Sequence, residues 1–227
     1  MAKPVLTFPE GPWKTLLERA YGLLDAVASD GITLPRWSLG GGTVLMFYYA
    51  HRKSKDIDIF IPDPQFLGYV NPRTGGRGED VTSEYQDNAE YVKLFLPEGE
   101  IDFVASSTLT ENPLDEYEVL GRKVLLETPI EIAAKKLWHR GDRATPRDLL
   151  DLAMVIEHHY SAILDHHHVF AKNIEVFTEQ CESRKFIMQP VFNAIEKIEF
   201  NLSFDECLER ANNLKIDLLK KQRIHRD

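Results

Sequence analysis

The apolar positions Leu16, Leu17, Ala20, Leu23, Leu24 and Val27 recur at the spacing of one helical face, which predicts an amphipathic helix over residues 13–28 that Gly31 ends. Residues 37–39 then predict a short strand running into Gly40, Gly41 and Gly42. The apolar stretch at 43–49, flanked by glycine on one side and charge on the other, predicts a short helix that starts right after the glycines. Polar and apolar residues alternate over 56–61, so this segment predicts a strand, closed by Pro62 and Pro64. A glycine-rich segment at 71–80 predicts a loop. Two further strands are expected at 91–96 and 101–105, joined by a turn over 97–100, and short strands around Gly121 over 119–126.

The pattern changes after residue 127. Thr128-Pro129-Ile130-Glu131, Thr145-Pro146-Arg147-Asp148 and Ser203-Phe204-Asp205-Glu206 each carry a helix-capping residue with an acid three positions on. Everything from 129 onward is expected to be helical. The fold class expected is α+β: an α/β lobe over 1–127 followed by a helical lobe over 128–227.

Composition narrows the setting. The 227 residues are 43% apolar and carry a net charge of -9, which suits a globular protein with a proper core. The acidic balance argues against a surface that coats nucleic acid but leaves room for a local basic patch. Cys181 and Cys207 stand alone, too few for a disulfide framework or a zinc site, so a reducing cytoplasm is expected. No apolar run approaches the roughly 20 residues that span a bilayer, and the first residues lack the apolar core of a signal peptide.

The stretch Gly40–Phe60, GGGTVLMFYYAHRKSKDIDIF, concentrates the candidate chemistry. Asp56 and Asp58 lie two apart on the expected strand, so both carboxylates point the same way while Ile57 and Ile59 face the core. Two adjacent carboxylates repel, and a hard divalent cation such as Mg²⁺ between them would remove the conflict. Glycines between a strand and a helix let backbone N–H groups approach a phosphate, and the helix N-terminus favours negative charge. Arg52, Lys53 and Lys55 add cations beside the acids. Asp102, flanked by Ile101 and Phe103, is a third acid that is costly in an apolar strand without a partner. On a neighbouring strand it would complete a two-metal site for phosphoryl displacement.

These segments resemble the nucleotidyltransferase superfamily with a polymerase-beta-like fold. Gly41-Gly42-Thr43-Val44-Leu45, His51-Arg52-Lys53-Ser54-Lys55-Asp56-Ile57-Asp58-Ile59-Phe60 and the later Ile101-Asp102-Phe103 resemble its AbiEii/AbiGii-type family more closely, as do Ala134-Lys135-Lys136-Leu137 and Arg147-Asp148-Leu149-Leu150-Asp151-Leu152. The resemblance runs from about residue 37 to 155. It implies a polymerase-beta-like α/β lobe, with Mg²⁺ or Mn²⁺ on Asp56, Asp58 and Asp102. It implies an NTP bound through Gly41, Gly42, Thr43, Arg52, Ser54 and Lys136. Gly42 stands where many members have serine, which leaves the backbone rather than a hydroxyl at the phosphate. Lys136 would neutralise the triphosphate, and Asp151 would orient Lys136 or help deprotonate the acceptor hydroxyl. Asp148, in the capping position, reads as a structural acid. The family further implies the toxin of a toxin–antitoxin pair, acting on tRNA or another cellular target and restrained by an antitoxin.

Two rivals remain at this point: the same chemistry on an antibiotic-type small molecule, and a non-catalytic remnant that binds nucleotide or antitoxin. Lys135, Lys136, Arg140, Arg143 and Arg147 favour RNA, while the acidic pI favours the small molecule. His158, His159 and His166 to His168 read as polar helix faces, and the basic run from Lys220 to Arg226 reads as a solvated helix end.

Overall fold

A computed structural model describes residues 3–224. The chain divides into two compact units. The first comprises Met1–Phe47, Ser54–Thr108 and Leu114–Glu127, and the second comprises Tyr48–Lys53, Leu109–Pro113 and Thr128–Asp227. Two short excursions, 48–53 and 109–113, thus fold with the C-terminal residues.

The first unit is a seven-stranded mixed sheet with helix α1 (Trp13–Ser29) against it. In chain order the strands are β1 (Ser38–Gly40), β2 (Ile57–Ile61), β3 (Tyr85–Asp87), β4 (Tyr91–Leu96), β5 (Gly99–Ala105), β6 (Leu114–Val119) and β7 (Arg122–Glu127). Their spatial order is β3-β4-β5-β2-β1-β7-β6. β2 is central, antiparallel to β1 and parallel to β5. Strict alternation explains it: Ile57, Ile59 and Ile61 are buried, at about 1.5–3 kcal/mol each for a branched aliphatic side chain. Their neighbours Asp58 and Phe60 take the other face. The stripe predicted on α1 is buried, and Trp13 closes its start, with its ring 4.6 Å from that of Phe47 and Nε1 donating to the carbonyl of Pro9 at 2.7 Å.

The strands exceed their sequence-based bounds in informative places. β5 begins at Gly99, so its turn with β4 is the two-residue Pro97-Glu98 rather than 97–100. Helix α2 (Gly41–Tyr49) begins at the second glycine itself. The 71–80 segment holds two 3-10 turns, Pro72–Thr74 and Arg77–Asp80, preceded by the short helix α3 (Leu67–Val70). β3 carries no sequence signal, because Tyr85–Asp87 is an edge strand without a buried face.

The second unit is built from α4 (Pro129–Arg140), α5 (Pro146–Asp165), α6 (His167–Ser183), α7 (Lys185–Asn193) and α8 (Phe204–Ile224). Its core includes Leu149, Val155, Phe170, Phe177, Phe192 and Phe204. The all-helical expectation fails over 195–203. There the chain leaves the helix to pair with the 48–53 excursion: Lys53 N donates to Glu196 O at 2.8 Å, Ile198 N to His51 O at 3.0 Å and Glu199 N to Ala50 O at 3.1 Å. Thr145 and Asp148 form the reciprocal capping box that was predicted, as do Ser203 and Glu206. Glu131 does not. Thr128 caps α4, but the Glu131 carboxylate turns to the 109–113 excursion, accepting from Leu109 N at 2.9 Å, Thr110 N at 2.9 Å and Thr110 Oγ1 at 2.7 Å.

Cys181 and Cys207 are free and buried, and burial pushes both thiols up to about 12, so neither is a nucleophile at neutral pH. Among the described residues no helix is long and apolar enough to cross a membrane. The basic run beginning at Lys220 lies in α8 as far as Ile224; His225 and Arg226 fall outside the described residues.

Glu131 is fully buried, and its removal strands several donors. Glu131→Ala is therefore expected to cost about 3 kcal/mol, read as a lowered urea midpoint.

Candidate active site

The sheet register of the first unit assembles four residues in one file. Gly40 on β1 is opposite Asp58 on β2, Asp58 is opposite Asp102 on β5, and Asp102 is opposite Lys93 on β4. Residues opposite one another share a face, so Asp58 and Asp102 are direct cross-strand neighbours. Two such carboxylates about 5 Å apart repel by about 3 kcal/mol at an effective dielectric near 20. Burial and then the Asp58 charge raise the Asp102 carboxyl to about 7, against the opposing pull of Lys93. Asp102 Oδ2 accepts from Lys93 Nζ at 2.9 Å, while its buried Oδ1 has no hydrogen-bond partner. Lys93 Nζ also meets Glu100 Oε2 at 2.5 Å.

The glycines abut this file. Gly41 has φ +68, and a Cβ there would lie 1.9 Å from Asp58 Oδ2. At Gly40 a Cβ would meet Glu127 Oε2 at 2.3 Å and Phe60 at 2.6 Å. Only glycine allows the start of α2 to lie directly on the acid. The first turn of that helix carries N–H groups without intrahelical acceptors, aimed where an anion is favoured. Thr43 and Ser54 pin the loop that leads back to β2: Thr43 Oγ1 lies 3.0 Å from Ser54 Oγ and donates to Asp56 O at 2.6 Å.

Asp56 stands one residue before β2. Its Oδ1 accepts from Glu100 N at 3.1 Å, which turns the carboxylate toward the β4–β5 turn. The structure thus brings Asp58 and Asp102 together and holds Asp56 on the adjoining backbone. Among the described residues no group of three or more histidine, cysteine or acidic side chains has metal-holding geometry. The Asp58–Asp102 pair nevertheless fits a hard divalent cation: its donors are carboxylates, one buried oxygen of Asp102 lacks a partner, and burial with the Asp58 charge raises the proton affinity of Asp102.

A second charged centre lies wholly within the second unit. Asp151 is fully buried and accepts from Arg52 Nε at 2.7 Å and Arg52 Nη2 at 2.8 Å; His51 Nε2 lies at 2.8 Å and Lys136 Nζ at 3.0 Å. Lys136 also reaches Asp148 Oδ1 at 2.7 Å. Burial acts to raise the Asp151 carboxyl, but Arg52 and Lys136 outweigh it and hold it well below the ordinary range. Burial keeps His51 below its usual value despite Asp151, so the imidazole is neutral. Two cations and two carboxylates then balance. Lys136 retains 16% side-chain exposure, against 4% for Arg52 and 0–1% for the two acids and His51. Of these five, Lys136 is the one that can still meet an external anion. Arg52, expected at a phosphate, here donates to both oxygens of Asp151, and Asp151 in turn meets Lys136. Asp148 serves both the α5 cap and Lys136.

The family model described as nucleotidyl transferase AbiEii toxin, type IV toxin–antitoxin system, matches residues 22–218. The chain belongs to the AbiEii family. No curated protein matches it at a significant level. Among solved structures it is similar to MenT4, a nucleotidyltransferase toxin from Mycobacterium tuberculosis. The identity is 15%, 92% of this chain and 86% of that chain are covered, and the TM-score is 0.52. JHP933 from Helicobacter pylori matches at 15% identity over 92% and 95% of the two chains, with a TM-score of 0.48. The antibiotic-resistance factor ANT(2'')-Ia matches at 14% identity over 80% and 98%, with a TM-score of 0.44. At such identity the MenT4 likeness is one of fold, and that fold is the mixed α/β nucleotidyltransferase architecture with helices after it.

This AbiEii chain is a nucleotidyltransferase of a toxin family. Enzymes of this family use an NTP and a divalent metal, and the type IV system pairs the toxin with an antitoxin. Sequence reasoning overlooked Lys93, which ends the file, and Glu100, which meets the Lys93 ammonium from two residues before Asp102. Their signal was present: Lys93 is a charged residue alternating with Val92 and Leu94 in a strand, on the same face as Asp102 once the hairpin register is known.

Two outcomes are expected. Gly41→Ala should displace the Asp58 carboxylate and lower nucleotidyl transfer by on the order of 100-fold, with the protein still folded by circular dichroism. Asp151→Asn should cost about 3–5 kcal/mol, because it leaves Arg52 and Lys136 short of a buried partner charge. The folded Asp151 carboxyl lies below its unfolded value of about 3.9, so its contribution is present above about pH 4 and lost as pH falls through the folded value. Thermal melts of mutant and wild type should therefore differ most near pH 7 and draw closer as pH falls below about 4, with full convergence only below the folded value.

Proposed function

We propose that this AbiEii protein moves a nucleoside monophosphate from Mg²⁺–NTP (or Mn²⁺–NTP) to a hydroxyl of an RNA acceptor, tRNA above all, in the cytoplasm, and that an antitoxin partner restrains it. The observation that carries the reading is the Asp58–Asp102 pair with the glycine-started helix α2 laid directly against it. Asp58 and Asp102 would hold the metal, with Asp56 alongside, and the bound metal would neutralise charge developing on the α-phosphate. Gly41 and Gly42 place the first N–H groups of α2 where phosphate oxygens can be received. Within the second unit, Lys136 is held by Asp148 and Asp151 and keeps enough exposure to receive an anion. These residues act by positioning and fixed charge: the acceptor oxygen bonds to the α-phosphorus as the bond to pyrophosphate breaks, and the proton of the hydroxyl passes to water.

The RNA acceptor is favoured by a face of the second unit. Trp138 is 44% exposed, Lys172 Nζ lies 4.5 Å over its ring, and Arg140, Arg143 and Arg147 are exposed nearby in sequence. An exposed aromatic ring among cations suits stacking and backbone contact with single-stranded nucleic acid, in a chain that is otherwise acidic.

The test is incubation with each α-labelled NTP and total-cell RNA, protein and metabolite fractions. Label in RNA supports the reading; label only in small molecules replaces it with an antibiotic-type activity. Asp58→Asn should lower transfer by at least about 1,000-fold. Relief of repulsion should leave the metal-free mutant as stable as wild type or more so. Wild type should gain about 2.7 kcal/mol at a hundredfold excess of Mg²⁺–NTP over Kd, and the mutant little. Equal stabilisation of both proteins would remove Asp58 from the site.

A further inference from the structure

Lys93 stands at the end of the acid file, and nothing in the transfer chemistry above uses it. Its ammonium touches two carboxylates, Asp102 at 2.9 Å and Glu100 at 2.5 Å. Burial acts against its charge, and Glu100 and Asp102 outweigh burial, so its pKa lies above the ordinary lysine value and it is charged throughout the physiological range. The two partners differ in position. The Asp102 side chain is 14% exposed and lies beside Asp58, while that of Glu100 is 36% exposed. The lysine therefore bridges the acid pair to a more solvated carboxylate.

Resting on the reading that Asp58 and Asp102 hold the cation, we propose that Lys93 is a built-in competitor for it. In the metal-free protein the ammonium supplies the positive charge that Asp58 and Asp102 need. When a divalent cation arrives, Lys93 gives up Asp102 and stays on Glu100, so that metal binding is a cation exchange. The register makes this specific to Lys93: across the β4–β5 ladder it is the residue opposite Asp102. Its consequence is a lowered affinity for free metal together with an acid pair that stays assembled without it. A positive charge within hydrogen-bonding distance of a ligand oxygen opposes a second cation there, and its release on Glu100 limits the opposition. Lys93 is thus a positioning residue for the acid pair.

The test uses Mn²⁺ alone as the probe, titrated into the full chain by calorimetry and by electron paramagnetic resonance of free Mn²⁺. Lys93→Met keeps the length and apolar stem of the side chain and removes the charge. It should bind Mn²⁺ about tenfold more tightly than wild type. Its metal-free melting temperature should fall, because Asp102 and Glu100 lose their counter-cation, and its Mn²⁺-dependent rise should exceed that of wild type. A purely structural lysine would lower melting with and without metal alike. Glu100→Gln provides an independent arm, since it leaves Lys93 with Asp102 alone. It should weaken Mn²⁺ binding in the wild-type background by more than in the K93M background. Mn²⁺ affinity that is unchanged or weaker in K93M, or an E100Q effect equal in both backgrounds, overturns the proposal while leaving the metal site standing. Absence of Mn²⁺ binding in wild type, K93M and D102N alike overturns the metal reading and the proposal together.

Discussion

The first unit is organised around an electrostatic conflict, the two carboxylates of Asp58 and Asp102 placed opposite each other on adjacent parallel strands. Folding alone gives no reason for this pairing. The same strands bury Ile57, Ile59, Ile101 and Phe103 on the other face, and that apolar face fixes the register. A slip of one residue would separate the acids but would turn the isoleucines outward. Burial of the core therefore compels the acids to meet. The flanking residues answer the conflict in turn: Lys93 provides charge on one side, and Gly41 leaves room for the carboxylate on the other.

The second unit solves a comparable problem without leaving an unsatisfied carboxylate oxygen. Asp151 is enclosed by Arg52, His51 and Lys136, and its proton affinity falls where that of Asp102 rises. The contrast separates the two acids by role. A carboxylate that has all its partners is an organiser, and a carboxylate with a buried oxygen lacking a partner invites a ligand. The residues around Asp151 come from three places in sequence, the 48–53 excursion, α4 and α5. Removing any cation from it would leave charge uncompensated in a dry interior, which makes the network a structural requirement of that unit.

Much of this was legible in the sequence because it rests on local chemistry. The alternation around Asp58 gave the strand, the apolar stripe gave α1, and threonine with aspartate three residues later gave the cap of α5. Glycines before an apolar run marked the start of α2, although not that Gly41 is required by Asp58 itself. What escaped depends on pairing at a distance. The partnership of Lys93 with Asp102 follows from a hairpin register, and that of Arg52 with Asp151 joins residues 99 apart. The charge of Lys93 between Val92 and Leu94 marks a strand face without naming its partner, and the separation of Arg52 from Asp151 leaves no local trace. Glu131 was misassigned for the same reason, since its capping-box position was correct but a loop 21 residues away offered more donors than its own N-cap.

The chemistry at the acid pair cannot by itself select an acceptor. Carboxylates and backbone N–H groups recognise phosphate and cation, features common to any NTP reaction, whereas an acceptor must be recognised by its own bulk, charge and aromatic surface. One exposed feature of that kind is Trp138, with Lys172 over its ring and Arg140, Arg143 and Arg147 close in sequence. They belong to the second unit, while the acid pair belongs to the first. A shared fold therefore does not fix what receives the nucleotide, which depends on the side chains that a particular chain exposes.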